Sequence, residues 1–233
     1  MLKFVTIRSL IHLAALVAAW LCLAAVVEAA PITYVITGTA SGMIGGTAFT
    51  NALVQVTATG DTGNVVPLNV GGYDYFANVP SATTVTIAGI GTATVTGAAA
   101  PGLSPNPVGI FAFPTPIQLE PTLPATAVVV IGTLDFLPAL IDFTGIGAVG
   151  GDALLGYDLR TSIGPITAGG GVGYPPSLFV YTTLGNLSFT ENLSGSSPGT
   201  FAATATVPEP TSLLLTAIGL LGVATTRVRR SHS

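Results

Sequence analysis

The sequence predicts an all-β domain, an antiparallel sandwich or barrel, carried between two apolar termini. Three observations predict it. β-Branched residues recur in short alternating runs, as in Thr83–Ile87 and Thr92–Thr96, and such side chains fit a pleated, half-buried surface. Chain breakers separate these runs at short intervals: Gly45-Gly46, Gly60-Asp61-Thr62-Gly63-Asn64, Gly71-Gly72, Val79-Pro80-Ser81 and Gly89-Ile90-Gly91. That spacing suits antiparallel strands joined by tight turns. No 3.6-residue apolar period continues far enough to propose a long helix in the middle of the chain.

From the N-terminus, residues 1–29 read as a secretory signal peptide. Lys3 and Arg8 form a basic start, and Leu10–Val27 is apolar apart from His12. Val27-Glu28-Ala29 puts small residues at the recognition positions, which places cleavage between Ala29 and Ala30. The apolar run is long for a signal core, so an uncleaved anchor is the competing reading. Ala19, Trp20 and Leu21 fit a lipoprotein site before Cys22 poorly.

The body, residues 30–206, is long enough to bury one core. Further strands are expected at 32–37, 53–59, 73–76, 127–134, 178–182, 187–190 and 200–206. Pro101–Pro124 holds seven prolines. Proline cannot donate to a ladder, so the segment is expected to cross between sheets, border an edge or link two small β-domains. Gly169-Gly170-Gly171 is expected in an exposed loop. Gly145-Ile146-Gly147-Ala148-Val149-Gly150 matches a dinucleotide-binding pattern, but no βαβ setting surrounds it, and a flexible turn run is expected instead.

Composition narrows the chemistry. Charged residues are 7% of the chain, and mean hydropathy is +0.74. The long apolar runs lie only near the two ends. In the body, eight carboxylates face the single base Arg160, a net charge of −7. Such a body cannot neutralise a row of phosphates, which argues against nucleic acid and anionic lipid as partners. The same segment has no His, Cys or Lys. Ser-His-Asp and Cys-His nucleophiles, His-ligated zinc and Schiff bases are thereby excluded there. Paired carboxylates remain, Asp135 with Asp142 or Asp152 with Asp158, but Trp20 is the only Trp and lies in the leader. The body is expected not to be an enzyme.

Two binding readings are open. Asp61 and Asn64, with Asp152 and Asp158, supply the hard oxygens calcium prefers, although an Asp-Gly turn bonding to its own backbone is the commoner use of such residues. Tyr73 and Tyr75 share one strand face and could stack on a sugar or pack in the core. Asn186-Leu187-Ser188 and Asn192-Leu193-Ser194 fit a glycosylation sequon and read mainly as polar turns.

The tail runs Val207-Pro208-Glu209-Pro210, an uncharged stretch Thr211–Thr226, then Arg227, Arg229 and Arg230. The prolines bar an earlier helix start. The stretch gives a helix of about 24 Å against a hydrocarbon core of about 30 Å, and the arginines can snorkel to close the gap. The positive-inside rule keeps them cytoplasmic. Pro-Glu-Pro, one short span and a basic end together resemble the PEP-CTERM sorting signal of Gram-negative bacteria. The resemblance covers residues 207–233; a plain C-terminal membrane anchor is the alternative. It implies recognition and processing by an exosortase, a membrane-embedded protease with a cysteine nucleophile. It also implies an inner-membrane precursor delivered to the cell surface or extracellular matrix. Ile36–Gly42 and Thr161–Ile166 resemble stretches of uncharacterised β-rich PEP-CTERM proteins, which bring no activity with them. The expected role is structural or adhesive, with a carbohydrate-binding β-sandwich, helped by calcium, as the alternative.

Overall fold

The computed structural model describes residues 29–70, 73–99, 108–117, 126–137, 140–172, 179–190 and 199–206. Residues 1–28 of the expected leader (1–29) and the Pro-Glu-Pro, span and arginine cluster (207–233) lie outside them. Residues 29–206 form one compact unit, and it is all-β. Its strands are β1 (Pro31–Ile44), β2 (Thr47–Asp61), β3 (Val66–Val70), β4 (Tyr73–Asn78), β5 (Ala82–Ile87), β6 (Gly91–Ala99), β7 (Gly109–Ile117), β8 (Thr126–Leu137), β9 (Leu140–Gly150), β10 (Ile163–Val172), β11 (Phe179–Thr182), β12 (Gly185–Phe189) and β13 (Gly199–Ala205). Single 3-10 turns sit at Thr62–Asn64 and Asp152–Leu154.

Every pairing is antiparallel, and the order β12-β11-β6-β5-β2-β1 closes on itself because β12 returns to β1. Six strands thus form a barrel. A second sheet grows from the same strand. β1 gives its Ile32–Thr37 stretch to β13 and its Gly42–Ile44 stretch to β12. The sheet continues through β10, β9, β8, β7 and β4 to β3. Gly42 lets the barrel close: a Cβ there would run into the Ser188 carbonyl and the Phe49 ring. A bulge between Ala40 and Gly42 re-aims β1 at that corner.

The alternation read from the sequence is the burial pattern. On β1, Ile32, Tyr34 and Ile36 are fully buried, while Thr33, Val35 and Thr37 between them are half-buried. Val54, Val56 and Ala58 on β2, Val85 and Ile87 on β5, and Leu187 and Phe189 on β12 complete the barrel interior. Each buried Ile, Val or Leu is worth about 1.5–3 kcal/mol relative to exposure. β8 differs, because Ala127–Ile131 is a continuous apolar run buried on both faces, as a strand covered on two sides requires. Val129 and Ile131 join the main core, whereas Val128 and Val130 lie on the opposite face with Phe113 and Ala148.

Three expectations are corrected. The proline-rich segment holds an interior strand, β7, between β4 and β8. Pro114 and Pro116 are tolerated because they fall in the irregularity between Phe113 and Ile117 on the β8 side, and pairing ends at Ala112 on the β4 side. The Gly145–Gly150 run is strand, not a turn. The Gly169–Gly171 run is also strand, and the two pair with each other: Gly169 faces Gly150 and Gly171 faces Ala148.

Candidate functional site

Two segments leave the strands and meet at one polar junction. The first is the turn after β2. Asp61 Oδ1 accepts the Gly63 amide at 2.8 Å, so its carboxylate caps its own turn. Thr62 clips the start of the body: its amide donates to the Ala30 carbonyl, and its Oγ1 accepts the Ala30 amide, both at 2.9 Å. Ala29, before it, is exposed, and Asn64 at the end of the turn is exposed too. The second segment follows β9. Asp152 opens its 3-10 turn and lies exposed. Asp158 Oδ1 accepts the Arg160 amide at 3.0 Å, and its other oxygen is 3.9 Å from the Arg160 guanidinium. That exposed pair contributes little.

Tyr34 and Asn78 tie the two segments together. The Tyr34 hydroxyl donates to the Leu159 carbonyl at 2.7 Å and accepts from Asn78 Nδ2 at 2.9 Å. The same amide nitrogen donates to the Asp61 carbonyl at 3.1 Å. Asn78 is 1% exposed, and its amide lies flat on Gly60, where a Cβ would stand 2.9 Å from Nδ2. Arg160 reaches the Val65 carbonyl at 3.0 Å and lies 6.0 Å from the centre of the Phe76 ring. Leu159, fully buried, is held at φ 65°. Burial pushes the Tyr34 phenol up to about 12; the Asn78 bond opposes the rise and the Asp158 charge adds to it. Burial pushes Tyr157 further in the same direction. The junction is a clamp: it fixes the 151–162 connection and presents no nucleophile.

Asp61 and Asp158 therefore sit on segments that converge, each engaged with its own backbone. Among the described residues no three His, Cys, Asp or Glu side chains gather to hold a metal ion. Asp135 and Asp142 are direct cross-strand partners in the β8–β9 hairpin, but their side chains lie outside the described set. Tyr75 is 2% exposed and stacks on Phe113 at 5.3 Å between ring centres, with Phe111 at 6.4 Å. It is one of the residues lining an open groove of about 460 Å³ between β3, β4 and the end of β7, with Pro67, Leu68, Phe76, Pro114 and Thr115 and the polar Asn69 and Asp74. Asn69 Nδ2 donates to Asp74 Oδ1 at 2.7 Å. The Tyr73 side chain lies outside the described residues. Sequence reasoning missed the Tyr34–Asn78 pair, and the one signal available was a lone Arg beside Asp158.

A second surface emerges only from the register. On the outer side of the barrel wall, continued onto β13 and β10 of the attached sheet, Thr204, Thr33 and Thr59 form one cross-strand row, and Thr57, Thr84 and Thr94 continue a second that begins at Val35. A third runs Thr167, Thr200, Thr37, Gln55, Thr86 and Thr92. All are exposed or half-exposed. The strands that carry these rows hold no charged residue except Asp61 at the last position of β2.

No curated protein and no solved structure matches the chain. Residues 206–230 match the family model of the PEP-CTERM protein-sorting motif. That interval contains Pro208-Glu209-Pro210, the apolar stretch and the three arginines. The chain carries a PEP-CTERM sorting motif, and the motif supports export and delivery to the surface through an exosortase.

Proposed function

We propose that this protein is a non-enzymatic structural or adhesive component of the cell surface or extracellular matrix. In this reading it is made as an inner-membrane precursor and released by an exosortase. The observation that carries the reading is the sorting motif at 206–230. The body supports it: a closed barrel extended by a long sheet, without His, Cys or Lys between residues 30 and 206. Strands closed into a barrel leave few open edges, which suits a protein exposed outside the cell. Intact mass of the protein from membrane and extracellular fractions tests the reading. An extracellular form that has lost both ends, near Ala29 and near Pro208, is expected. A full C-terminus kept in the inner membrane would sink it and leave a tail-anchored periplasmic domain.

The groove beside Tyr75 favours a second reading, in which this barrel and its attached sheet bind carbohydrate. Its apolar lining and the Asn69–Asp74 pair resemble the mix of apolar contact and placed polar groups that small-ligand sites use. A glycan array with and without chelator tests it, and with it any calcium assistance through Asp61, Asn64, Asp152 or Asp158. No binding in either condition removes this reading.

A further inference from the structure

We infer that the threonine-bearing outer face of β13, β1, β2, β5 and β6 is an adsorption surface for a neutral polysaccharide. The inference rests on the surface or matrix role proposed above and names the partner of that role. Three features of the face carry it. Its hydroxyls form a lattice, because the strands are in register: neighbouring rows along a strand are about 6.7 Å apart and neighbours across strands about 4.8 Å. A hydroxyl both donates and accepts, so such a lattice tolerates the mixed donors and acceptors of a sugar chain without demanding one orientation. Thr86 and Thr92 already pair in this way, with their oxygens 2.8 Å apart.

Charge selects the partner. The rows are uncharged, while the rest of the body carries a net charge of −7. A neutral chain meets no opposing field on the face, whereas an anionic polysaccharide approaches like charge. A second copy of this protein fits less well. Protein interfaces draw on aromatic and Arg anchors in a desolvated centre, and the three rows have neither; their side chains are Thr with Val35, Gln55 and Ala between, bordered on β2 by exposed Leu53 at one end and Asp61 at the other. Polysaccharide hydroxyls can instead keep bridging water, so the Thr groups need not be stripped dry. Each contact is weak, and affinity comes from many contacts along one chain.

The test uses the full chain in a polyoxyethylene detergent, with partition measured on cellulose, on amylose resin and on alginate beads. The wild type is expected on at least one neutral matrix and not on alginate. The triple variant Thr57→Val/Thr84→Val/Thr94→Val keeps β-branched shape and removes the middle row of hydroxyls. It is expected to lower the bound-to-free ratio about tenfold, as the loss of one or two hydrogen bonds would. Thr84→Glu, which places a charge mid-face, is expected to do the same, with far-ultraviolet circular dichroism unchanged for both. Leu68→Glu, in the groove, is expected to bind as wild type. The proposal is overturned by unchanged partition of the row variants, by retention on alginate, by loss of binding in Leu68→Glu, or by no retention on any matrix. Self-association that the row variants abolish would assign the face to a second copy and overturn it equally. The fractionation experiment above is independent: extracellular protein that adsorbs to nothing leaves the export reading standing and removes this one.

Discussion

Removing one oxygen, in Tyr34→Phe, tests whether the junction between the Asp61 turn and the 151–162 connection is held as described. At neutral pH the change deletes the bond to the Leu159 carbonyl and the acceptor for Asn78 Nδ2. A buried carbonyl left without its donor costs about 1–3 kcal/mol, so urea unfolding is expected to show a loss in that range. The alkaline limb is the sharper measure. Tyrosine ionises near 10 in an unfolded chain, and Tyr34 is pushed to about 12 in the fold by burial. Its folded pKa is raised, so the folded state holds the proton longer. The stabilisation is complete below pH 10 and is lost as pH rises from 10 to 12. Over that window Tyr34 contributes a fall of about 1.4 kcal/mol per pH unit, about 2.7 kcal/mol in all. Tyr157, raised further by burial, adds a similar slope. Tyr75, also raised by burial, adds to it, so Tyr34→Phe should be less stable at pH 7, yet decline less steeply than the wild type above pH 10. Denaturant midpoints across pH 8–12 with tyrosinate absorbance read both quantities. An alkaline slope equal to the wild type's would refute the assignment of Tyr34 as a buried neutral phenol.

The same junction and its neighbours make three further predictions. Gly60→Ala sets a methyl 2.9 Å from Asn78 Nδ2, and that amide cannot retreat without breaking its bonds to Tyr34 and Asp61. A loss of about 1–3 kcal/mol is expected, and an unchanged melting temperature would show that Asn78 is not fixed there. Asp61→Ala removes the cap on Gly63 and should cost about 0.5–2 kcal/mol, whereas Asp61→Asn keeps the accepting oxygen and should cost little. Equal losses would mean that the negative charge matters, and calcium titration of the wild type would then be the follow-up. Leu159→Ala empties a fully buried site and should cost about 2–5 kcal/mol. Leu159→Gly should be no worse, because φ 65° penalises any Cβ by about 1–2 kcal/mol; glycine falling about 1 kcal/mol below alanine would contradict the left-handed backbone.

Where the chain alternates, the sequence was readable. Thr83–Ile87 and Thr92–Thr96 lie within β5 and β6 as expected, because a strand with one wet face writes its period into the residues. Where both faces are covered, the period disappears. Ala127–Ile131 still announces itself as an apolar run, but β9 beside it and β10 beyond β9 do not. Those two pair with each other as glycine-rich strands, Gly147–Gly150 against Gly169–Val172, and glycine in sequence reads as a turn unless the partner strand is known. β7 was hidden for a related reason. Its prolines sit in a gap of the β8 ladder between Phe113 and Ile117, so they interrupt the sequence signal without interrupting the sheet.

The candidate sites divide along the same line. A sorting motif is a local string, with its prolines, span and arginines contiguous, and a string can be read without a fold. The clamp is not local: Tyr34 and Asn78 are 44 residues apart and Tyr34 and Leu159 are 125 apart, and no spacing rule joins them. The threonine lattice lies between these cases. Each strand shows its Thr-x-Thr alternation plainly, but alternation alone allows either register, and a slip of one residue would turn every hydroxyl inward. The apolar set fixes the choice. Ile32, Tyr34 and Ile36 must face Val54, Val56 and Ala58 to close the barrel, and once they do, Thr33 and Thr37 have nowhere to point but out. The proposed surface is thus a consequence of core packing: a β1–β2 register shift would turn the apolar set outward as it turns the hydroxyls inward, so surface and fold would be lost together.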